Sequence, residues 1–274
     1  MKIPKNARAV ITGAGSGLGR AIALELASRG ASILIADIDE GRAAETASLV
    51  RSMGSRAETI RADVTKLEDV EAMGEAMDRA FGGVDLVVNN AGVAVAGLVG
   101  EVPLDDWRWI LEINLMGVVH GCHVFAPRLR AQKSGFILNV ASCAGIASLP
   151  EMGPYNVSKA GVVALSETLY AELGQDGIGV SALCPTFFKT NLLETMRAPD
   201  RAQHEKASSF FERSKITAEE VAKIALAGLE AGDPIIIPQV DGRVVHALKR
   251  LSPKLYLSIL KNGMKSSIGQ KILG

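Results

Sequence analysis

Residues 8–37, with the sequence RAVITGAGSGLGRAIALELASRGASILIAD, contain the pattern on which the fold prediction rests. Two short apolar runs, RAVITGA and ASILIAD, enclose the segment GLGRAIALELASRG, whose apolar residues have helical spacing. The runs are apolar at successive positions, so both faces of each strand are expected to be buried. This pattern is typical of parallel strands joined by a covering helix.

The same alternation continues along the chain. After residue 40, the apolar runs RAETIRADV, VDLVVNNAG, GFILNVAS, IGVSALCP and DPIIIPQV alternate with helical segments, the longest of which covers residues 104–132. Thr217 and Glu220 have the spacing of a capping box before one of these helices. We find no Pro/Gly/Ser-rich linker, repeat or low-complexity block. The sequence therefore predicts a single α/β domain with a doubly wound, Rossmann-type parallel sheet and helices on both faces.

The segment TGAGSGLG, between the first strand and the first helix, is a candidate phosphate-binding loop. Gly13, Gly17 and Gly19 follow the spacing T-G-x-x-x-G-x-G. Glycine lets the backbone approach a pyrophosphate, and the N-terminus of the following helix offers free N–H groups and a positive dipole. Many loops need glycine, but at this position in a doubly wound fold the cluster predicts a dinucleotide site.

Asp37 ends the second strand, 18 residues after Gly19. A carboxylate at this point accepts hydrogen bonds from the adenosine ribose hydroxyls and repels a 2′-phosphate. None of Ser16, Ile38 and Asp39 is a cation that would attract that phosphate, so we expect NAD as the cofactor and not NADP. A simpler interpretation, compatible with the first, is that Asp37 caps the next helix.

Tyr155 and Lys159, in the stretch YNVSK, are four residues apart and therefore share one face of a helix. Ser142 ends a strand, at the sheet edge where doubly wound folds bind ligands. Because a tyrosine pKa of about 10 is high for a general base near neutral pH, we expect the Lys159 ammonium to lower the pKa of Tyr155. Taken singly, Tyr155 could be a core aromatic residue and Ser142 a turn residue.

Five motifs occur in an order that resembles the single-domain branch of the short-chain dehydrogenase/reductase family. They are the loop TGAGSGLG, NNAG at 89–92, Asn114 in EINLMG, Ser142 in NVAS and YNVSK at 155–159. Ser142 precedes Tyr155 by thirteen residues, and the resemblance runs from about Ala7 to Val240. The combination is far more specific than any of the motifs alone.

The resemblance implies roles for four side chains. Tyr155 would exchange a proton with the substrate oxygen while a hydride moves to or from the nicotinamide, and Lys159 would bind the nicotinamide ribose. Ser142 would polarise a substrate carbonyl or position an alcohol. Asn114 would hold a water that links Lys159 to solvent, although taken alone it could be a polar group bonded to a neighbouring strand.

The resemblance also implies a set of cofactor contacts. They are Gly13, Ser16, Gly17, Leu18, Gly19, Asp37, Asp63, Val64, Asn90, Ala91, Gly92, Tyr155, Lys159, Pro185, Phe188 and Thr190. Asp63 and Val64 would lie beside the adenine, and the segment from Pro185 to Thr190 would hold the nicotinamide carboxamide. The family usually has Pro-Gly where this chain has Pro185-Thr186. Because threonine resists a positive φ, either the backbone turns differently here or the side chain narrows the pocket.

Two stretches are expected to shape the substrate pocket. Residues 143–153 are apolar apart from Glu151, and residues 187–216 mix apolar anchors with charges, as expected of a substrate lid that excludes water. No arginine clearly faces the pocket, so a small dianionic acid is not expected. We predict an apolar secondary alcohol or its ketone as the substrate.

Two other functions share parts of this pattern. NAD-dependent epimerases and dehydratases use a tyrosine–lysine pair, but usually with a different glycine spacing and a larger C-terminal substrate domain. An NAD-binding sensor or scaffold protein without turnover would commonly lose a catalytic residue, whereas this chain keeps all four. We therefore expect an NAD-dependent alcohol dehydrogenase or carbonyl reductase.

Composition narrows the class of protein further. Thirty basic and thirty acidic residues cancel over 274 residues, which gives no global field for nucleic acid. Cys122, Cys143 and Cys184 are widely spaced, as in a reducing compartment, and no run reaches ~20 uninterrupted apolar residues, so we expect a cytoplasmic protein. His120 and His123 lack a third ligand at suitable spacing, so no metal is expected. The resemblance implies a homo-oligomer, either a dimer or a tetramer.

The C-terminal residues 241–274 extend beyond the usual end of the family and are basic. From Val240 onward seven Lys/Arg oppose the single acid Asp241, a net charge of +6, so the preceding residues carry −6. Apolar residues keep helical spacing around Pro253, which breaks or starts a helix; they are Val244, Leu248, Leu251, Leu255 and Ile259. We expect residues 1–240 to form the catalytic domain, with the extension packed on its own or a neighbouring subunit. Peripheral contact with anionic lipid is the alternative.

Overall fold

The structure, a computed structural model, describes residues 1–188, 191–198 and 216–263. It contains a single sheet of seven parallel strands in the spatial order β3-β2-β1-β4-β5-β6-β7. The strands are β1 (Arg8–Thr12), β2 (Ser32–Asp37), β3 (Ala57–Arg61), β4 (Leu86–Asn89), β5 (Gly135–Val140), β6 (Ile178–Leu183) and β7 (Ile235–Ile236). The predicted doubly wound parallel sheet is confirmed. Its chain order reverses between β1 and β4, and such a switch point opens a crevice at the carboxyl ends of the strands.

Helices join the strands and cover the sheet. They are α1 (Gly17–Ala27), α2 (Glu40–Ser52), α3 (Leu67–Phe81), α4 (Leu104–Leu111), α5 (Gly117–Gln132), α6 (Cys143–Ala147), α7 (Gly153–Gly174), α8 (Ala218–Ala231), α9 (Val240–Leu251) and α10 (Pro253–Gly263). A capping box formed by Thr217 and Glu220 starts α8, as predicted.

The core lies on both faces of the sheet, because successive residues of each strand point to opposite sides. On one face, Ile11 and Ile33 pack with residues of α1, α2 and α8. On the other face, Val10 and Leu34 pack with residues of α3, α5 and α7. This two-sided burial explains why the strand runs are apolar throughout.

The last strand is much shorter than its apolar run. The sequence predicted a strand over residues 233–240, but β7 contains only Ile235 and Ile236. Pro234 and Pro238 flank the pair, and proline has no N–H to donate to a neighbouring strand. Proline therefore limits β7 to a two-residue edge strand.

The long helix of residues 104–132 is interrupted by a π turn at Glu112–Met116, which joins α4 to α5. On the α4 side, Ile110 packs in a cluster with Tyr155. On the α5 side, Phe125 and Leu129 pack against the sheet. A π turn contains one more residue per turn than an α-helix, so the two halves present different faces.

Leu104–Gln132 is also a helical segment with the length and composition of a membrane span. The sequence analysis did not select it, because its apolar residues are not uninterrupted. Half of its most apolar 18-residue stretch is buried. Phe125 and Leu129 are completely buried against the sheet. These contacts are those of a core helix.

The C-terminal extension forms α9 and α10, and Pro253 starts the second helix. Of the five apolar residues selected from the sequence, only Leu248 packs on the chain's own core; the exposed ones are Val244, Leu251, Leu255 and Ile259. The neighbouring face, with Val245, Tyr256 and Leu260, packs instead. Gly242 lies on this inner face, where it lets α9 approach the domain closely. Contact of the exposed face with lipid or another subunit stays a prediction.

Candidate active site

The glycine loop between β1 and α1 is closely packed against the loop that follows β4. Gly13 has a φ of +62°, and a Cβ on it would lie 2.9 Å from Ala91 Cα. A Cβ on Gly19 would lie 2.3 Å from the carbonyl oxygen of Gly13. Neither position admits a side chain, so the backbone remains open for a pyrophosphate.

Thr12 and Asn90 fix these two loops to each other. The Thr12 hydroxyl oxygen accepts hydrogen bonds from the N–H groups of Asn90 (2.9 Å) and Ala91 (3.1 Å). The Asn90 side-chain amide donates to the carbonyl oxygens of Thr12 (2.9 Å) and Gly13 (3.0 Å). The sequence analysis missed Thr12, although its place at the end of β1 was the available signal.

The N-terminus of α1 points at this loop. Ser16 precedes the helix in extended conformation, and its hydroxyl makes no capping hydrogen bond. Leu18 is buried beneath the loop. The first N–H groups of a helix lack internal partners, so they can bind a phosphate here.

Asp37, at the end of β2, is held beside the glycine loop. One carboxylate oxygen accepts from the N–H of Gly15 (2.7 Å), and the other accepts from the N–H of Asp39 (3.0 Å). The cap of α2 is Asp39, which accepts from the Arg42 N–H (3.0 Å). The interpretation of Asp37 as the helix cap is therefore wrong, because the cap is Asp39, two residues further along the chain.

Arg42 is a cation that the sequence analysis did not consider. A Cβ on Gly15 would lie 2.8 Å from both Arg42 Cβ and an Asp37 carboxylate oxygen, so the three residues meet at one point. The guanidinium forms ion pairs with Glu194 (2.9 Å) and Asp39 (3.5 Å). These carboxylates raise the pKa of Arg42, the contribution of Glu194 being the largest.

Asp63 and Val64 follow β3 at the same edge of the sheet. The Asp63 carboxylate accepts from the N–H (3.0 Å) and the hydroxyl (2.7 Å) of Thr65, which fixes the turn. Val64 is buried against Gly117, where a Cβ would lie 2.7 Å from its side chain. Contact of either residue with adenine stays a prediction.

Tyr155 and Lys159 lie in the first two turns of α7 and are 8% and 3% exposed. The Lys159 ammonium donates to the carbonyl oxygen of Val140 at the end of β5 (2.9 Å) and lies 5.9 Å from the centre of the Tyr155 ring. Ser142 follows the same strand, and its hydroxyl lies near enough to the phenol of Tyr155 to affect the pKa of that phenol. The structure thus brings together three of the four side chains predicted to be catalytic.

The pKa of Tyr155 differs from the sequence-based expectation. Burial raises the pKa of Tyr155 to about 12, and the nearby Ser142 hydroxyl only partly opposes this. Burial likewise lowers the pKa of Lys159 to about 8. Desolvation of the phenol is the largest of these effects, and an opposing effect of the Lys159 ammonium on the pKa of Tyr155 stays a prediction.

Asn114 lies in the π turn and is completely buried. Its side-chain oxygen accepts from the Val93 N–H (2.8 Å), and its amide donates to the Val93 carbonyl (2.9 Å) and to the Ser158 hydroxyl (3.2 Å). A Cβ on Gly92 would lie 3.2 Å from this oxygen and 3.4 Å from Lys159 Nζ. Asn114 thus anchors the loop after β4 and lies on the same side of it as Lys159.

The segment after β6 passes close to Ser142. The carbonyl oxygen of Pro185 accepts from the Cys143 N–H (2.8 Å), and the Thr186 N–H donates to the Gln239 side chain (3.0 Å). Thr186 is not among the described residues with positive φ, so the backbone needs no glycine here. Phe188 is buried in the core beside α8, and Thr190 lies outside the described residues, as do residues 199–215 of the predicted lid.

An apolar cluster surrounds Tyr155. It contains Ala94, Val95, Val102, Ile110 and Ala144, with Val93, Trp107, Trp109, Met152, Leu192 and Met196 packed against it. Arg197 extends over Trp109, with its guanidinium carbon 3.7 Å from the ring centre, and pairs with Asp106 (2.8 Å). The two tryptophans thus pack against the cluster that contains the tyrosine.

A parallel sheet with a glycine loop at its switch point, and a Ser–Tyr–Lys cluster beside it, defines a dinucleotide-binding α/β protein. The sequence pattern of the family described as short chain dehydrogenase matches residues 7–201. The chain belongs to the short-chain dehydrogenase/reductase family, whose members are nicotinamide-dependent oxidoreductases.

Individual relatives support the same assignment. The chain is 34% identical to the oxidoreductase EphD of Mycobacterium tuberculosis over 253 residues, 89% of this chain and 43% of EphD, so it spans less than half of that relative. It is 31% identical to the oxidoreductase SadH of the same organism, covering 93% and 94% of the two chains. The crystal structure of a family member from Burkholderia phymatum in complex with NAD is 36% identical, with a TM-score of 0.88 over 93% of this chain and 96% of that one.

Proposed function

We propose that this protein is an oxidoreductase that transfers a hydride between NAD and an apolar secondary alcohol or its ketone. The observation that carries the proposal is the convergence of Ser142, Tyr155 and Lys159 beside the glycine loop. Membership of the short-chain dehydrogenase/reductase family supports the reaction class.

The residues at the switch point fit a nicotinamide dinucleotide. Gly13 and Gly19 leave a cradle that a Cβ would fill, and the uncapped start of α1 offers N–H groups to a pyrophosphate. Asp37 would bind the adenosine ribose, and Lys159 the nicotinamide ribose. When bound, the nicotinamide supplies or accepts the hydride.

The side chains around the reacting oxygen would hold this oxygen and transfer a proton to or from it. Because burial raises the pKa of Tyr155 to about 12, its phenol is protonated at neutral pH and can donate a proton to a ketone oxygen. Ser142 would hold that oxygen against Tyr155 through its hydroxyl. In the opposite direction Tyr155 must first lose its proton, and Asn114 lies beside Lys159, where it could support the relay to solvent.

The surroundings of Tyr155 favour an apolar substrate. Its neighbours are almost all apolar or aromatic, including Trp107, Trp109 and Met196. Arg197 is already paired with Asp106 and stacked on Trp109. A substrate with two carboxylates would lose hydration here without finding a free cation among these described residues.

An absorbance assay of reduced nicotinamide tests the proposal. Purified protein is supplied with NAD and, in turn, small, cyclic, sterol and long-chain secondary alcohols; the corresponding ketones are supplied with NADH. We expect turnover to increase with the apolar area of the substrate. Binding of NADH without turnover across the panel would contradict the proposal and favour an NAD-binding sensor or scaffold. Epimerisation with no net change in NADH would favour an epimerase.

We propose NAD and not NADP as the cofactor, because the Asp37 carboxylate would repel the 2′-phosphate of NADP. Replacing Asp37 by Ser removes this repulsion and keeps the cation Arg42 beside the same loop. We expect the ratio of kcat/KM with NAD to that with NADP to fall by roughly 10–100-fold, the equivalent of one charge-assisted hydrogen bond. Initial rates at varied cofactor concentration measure this ratio.

Asp39→Ser is the matched control for this substitution. It removes a carboxylate two residues away that also pairs with Arg42, but that caps α2 and does not contact the glycine loop. Because serine caps helices about as well as aspartate, we expect it to keep the start of α2 and to change the cofactor ratio little. An unchanged ratio in Asp37→Ser, or an equal change in both variants, would contradict the assigned role of Asp37.

A further inference from the structure

The short helix α6 begins directly after Ser142 and ends close to the C-terminal extension. Ser142 caps its start by accepting from the Ala144 N–H (3.1 Å), and Ser148 follows its end with a φ of 57°. A helix of five residues is too short to be stable by itself, and its last carbonyls lack partners within the helix. The orientation of α6 therefore depends on contacts from elsewhere in the fold.

Two side chains of the extension supply those partners. Lys249 of α9 donates to the Ile146 carbonyl (2.5 Å) and to the Ser148 hydroxyl (3.1 Å). Tyr256 of α10 donates to the Ala147 carbonyl (2.6 Å). A cation at the C-terminus of a helix also interacts favourably with the helix dipole. Burial raises the pKa of Tyr256 to about 12, so its hydroxyl keeps the donated proton.

Apolar contacts near the end of α6 and a close approach at its start also attach the C-terminal extension to α6. Ala147, Tyr256 and Leu260 form a small buried cluster, against which Leu149 and Leu248 pack. At the start of α9, a Cβ on Gly242 would lie 2.9 Å from Thr186 and 3.3 Å from Cys143 Sγ. The extension thus contacts α6 at both ends, and it also contacts the segment after β6.

We propose that Lys249 and Tyr256 are positioning residues that hold α6, and through it the Ser142 hydroxyl, in the orientation needed for reaction with the substrate oxygen. The inference rests on the proposed function, in which Ser142 contacts that oxygen. The Ser142 hydroxyl oxygen accepts from the N–H of Ala144, and Ala144 packs in the cluster that contains Tyr155. A rotation of α6 would therefore move this hydroxyl away from the phenol.

The test uses Tyr256→Phe and Lys249→Met in the full-length protein. In each we expect kcat to fall by about tenfold, because a small misplacement of a reacting group is costly, while the KM for NAD changes less than ~twofold. Lys249→Arg, which keeps the cation, should recover most of the rate. Tyr170→Phe and Lys261→Met, at exposed positions of α7 and α10, are the matched controls and should resemble the unmodified protein.

A double-mutant cycle separates positioning from general destabilisation. If Tyr256 acts through Ser142, adding Tyr256→Phe to Ser142→Ala should cost less than ~twofold further in kcat. An equal loss in both backgrounds would overturn the proposal, as would an unchanged kcat in Tyr256→Phe and Lys249→Met. Failure of the proposed function itself would appear differently, as absence of turnover in the unmodified protein.

Hydrogen exchange provides a readout that does not depend on turnover. The amide of Ala144 is bonded to the Ser142 hydroxyl, and exchange of residues 142–149 reports the opening of α6. We expect residues 142–149 to exchange faster in Tyr256→Phe than in Tyr170→Phe, while the exchange of β5 is the same in both variants. Identical exchange in the two variants would overturn the proposal whether or not a substrate is known.

Discussion

Tyr155→Phe is expected to reduce turnover by at least about 10³-fold while leaving NADH binding within ~twofold of the original. The substitution removes a single hydroxyl. That hydroxyl is the proton donor of the proposed reaction, and burial keeps it protonated at neutral pH. The ring itself stays in the cluster with Ile110 and Ala144, so packing around α7 should be unchanged. Steady-state rates and titration of NADH fluorescence measure the two quantities.

The control for this result is Tyr170→Phe, on an exposed part of the same helix. It makes the same chemical change in α7 at a distance from Ser142, and should leave both rate and binding unchanged. Turnover in Tyr155→Phe at the original rate would sink the mechanism. Loss of NADH binding would instead show that the phenol supports the cofactor site.

The direction of the reaction should respond to pH as the raised pKa of Tyr155 requires. Reduction uses the phenol, which is the dominant form below a pKa of about 12. Oxidation uses the phenolate, whose fraction increases tenfold with each pH unit below that pKa. The kcat/KM of oxidation should therefore rise with pH, whereas that of reduction should not.

Lys159→Met is expected to lower turnover by roughly 10²-fold and, at pH 7, to raise the melting temperature by several degrees. Loss of rate follows from loss of the contact proposed for the nicotinamide ribose. Stability increases because burial lowers the pKa of Lys159 from 10.5 to about 8, so the charged form opposes folding. A shift of this size corresponds to about 3 kcal/mol, of which the lost hydrogen bond to Val140 offsets about 1 kcal/mol.

The stability difference should depend on pH in a defined window. Between about pH 8 and 10.5 the unfolded chain binds a proton at Lys159 that the folded chain does not, so the stability of the unmodified protein rises with pH there. Lys159→Met lacks this change. The advantage of the variant should therefore be constant below pH 8 and disappear towards pH 10.5.

Thermal denaturation of both proteins from pH 6 to pH 10.5 measures this difference. Lys261→Met, at an exposed position, should show no such advantage at any pH. A variant that is less stable than the original at pH 7 would contradict the cost assigned to burying Lys159. Retained turnover would contradict its place in the site.

The sequence was sufficient to predict the sheet and to select the side chains that we propose as catalytic. Apolar runs without alternation require burial on both faces, and that requirement leaves few alternatives to a parallel sheet. Ser142 was selected because strand ends converge at one edge of such a sheet, and Tyr155 because it shares a helix face with Lys159. Their spacing along the chain also matched a known family, so local pattern and long-range order agreed.

Other features could not be predicted because they depend on tertiary contacts. Arg42 is five residues from Asp37 in the sequence, and only the close approach of α2 to Gly15 brings it to the cofactor site. The pKa of Tyr155 moved opposite to expectation because burial, which spacing does not reveal, was the larger effect. The inward face of α9 was misjudged because Gly242 and Lys249 provide contacts that hydrophobic spacing does not record.

The π turn in the long helix has a consequence for what substitutions along this helix would change. Because of its one extra residue, α4 faces the cluster around Tyr155 through Ile110, while α5 faces the sheet through Phe125. Substitutions in α4 would therefore alter the apolar cluster around Tyr155, and those in α5 would alter the packing against the sheet. The helical segment is thereby divided into α4, where substitutions would change the surroundings of Tyr155, and α5, where they would disturb folding of the sheet.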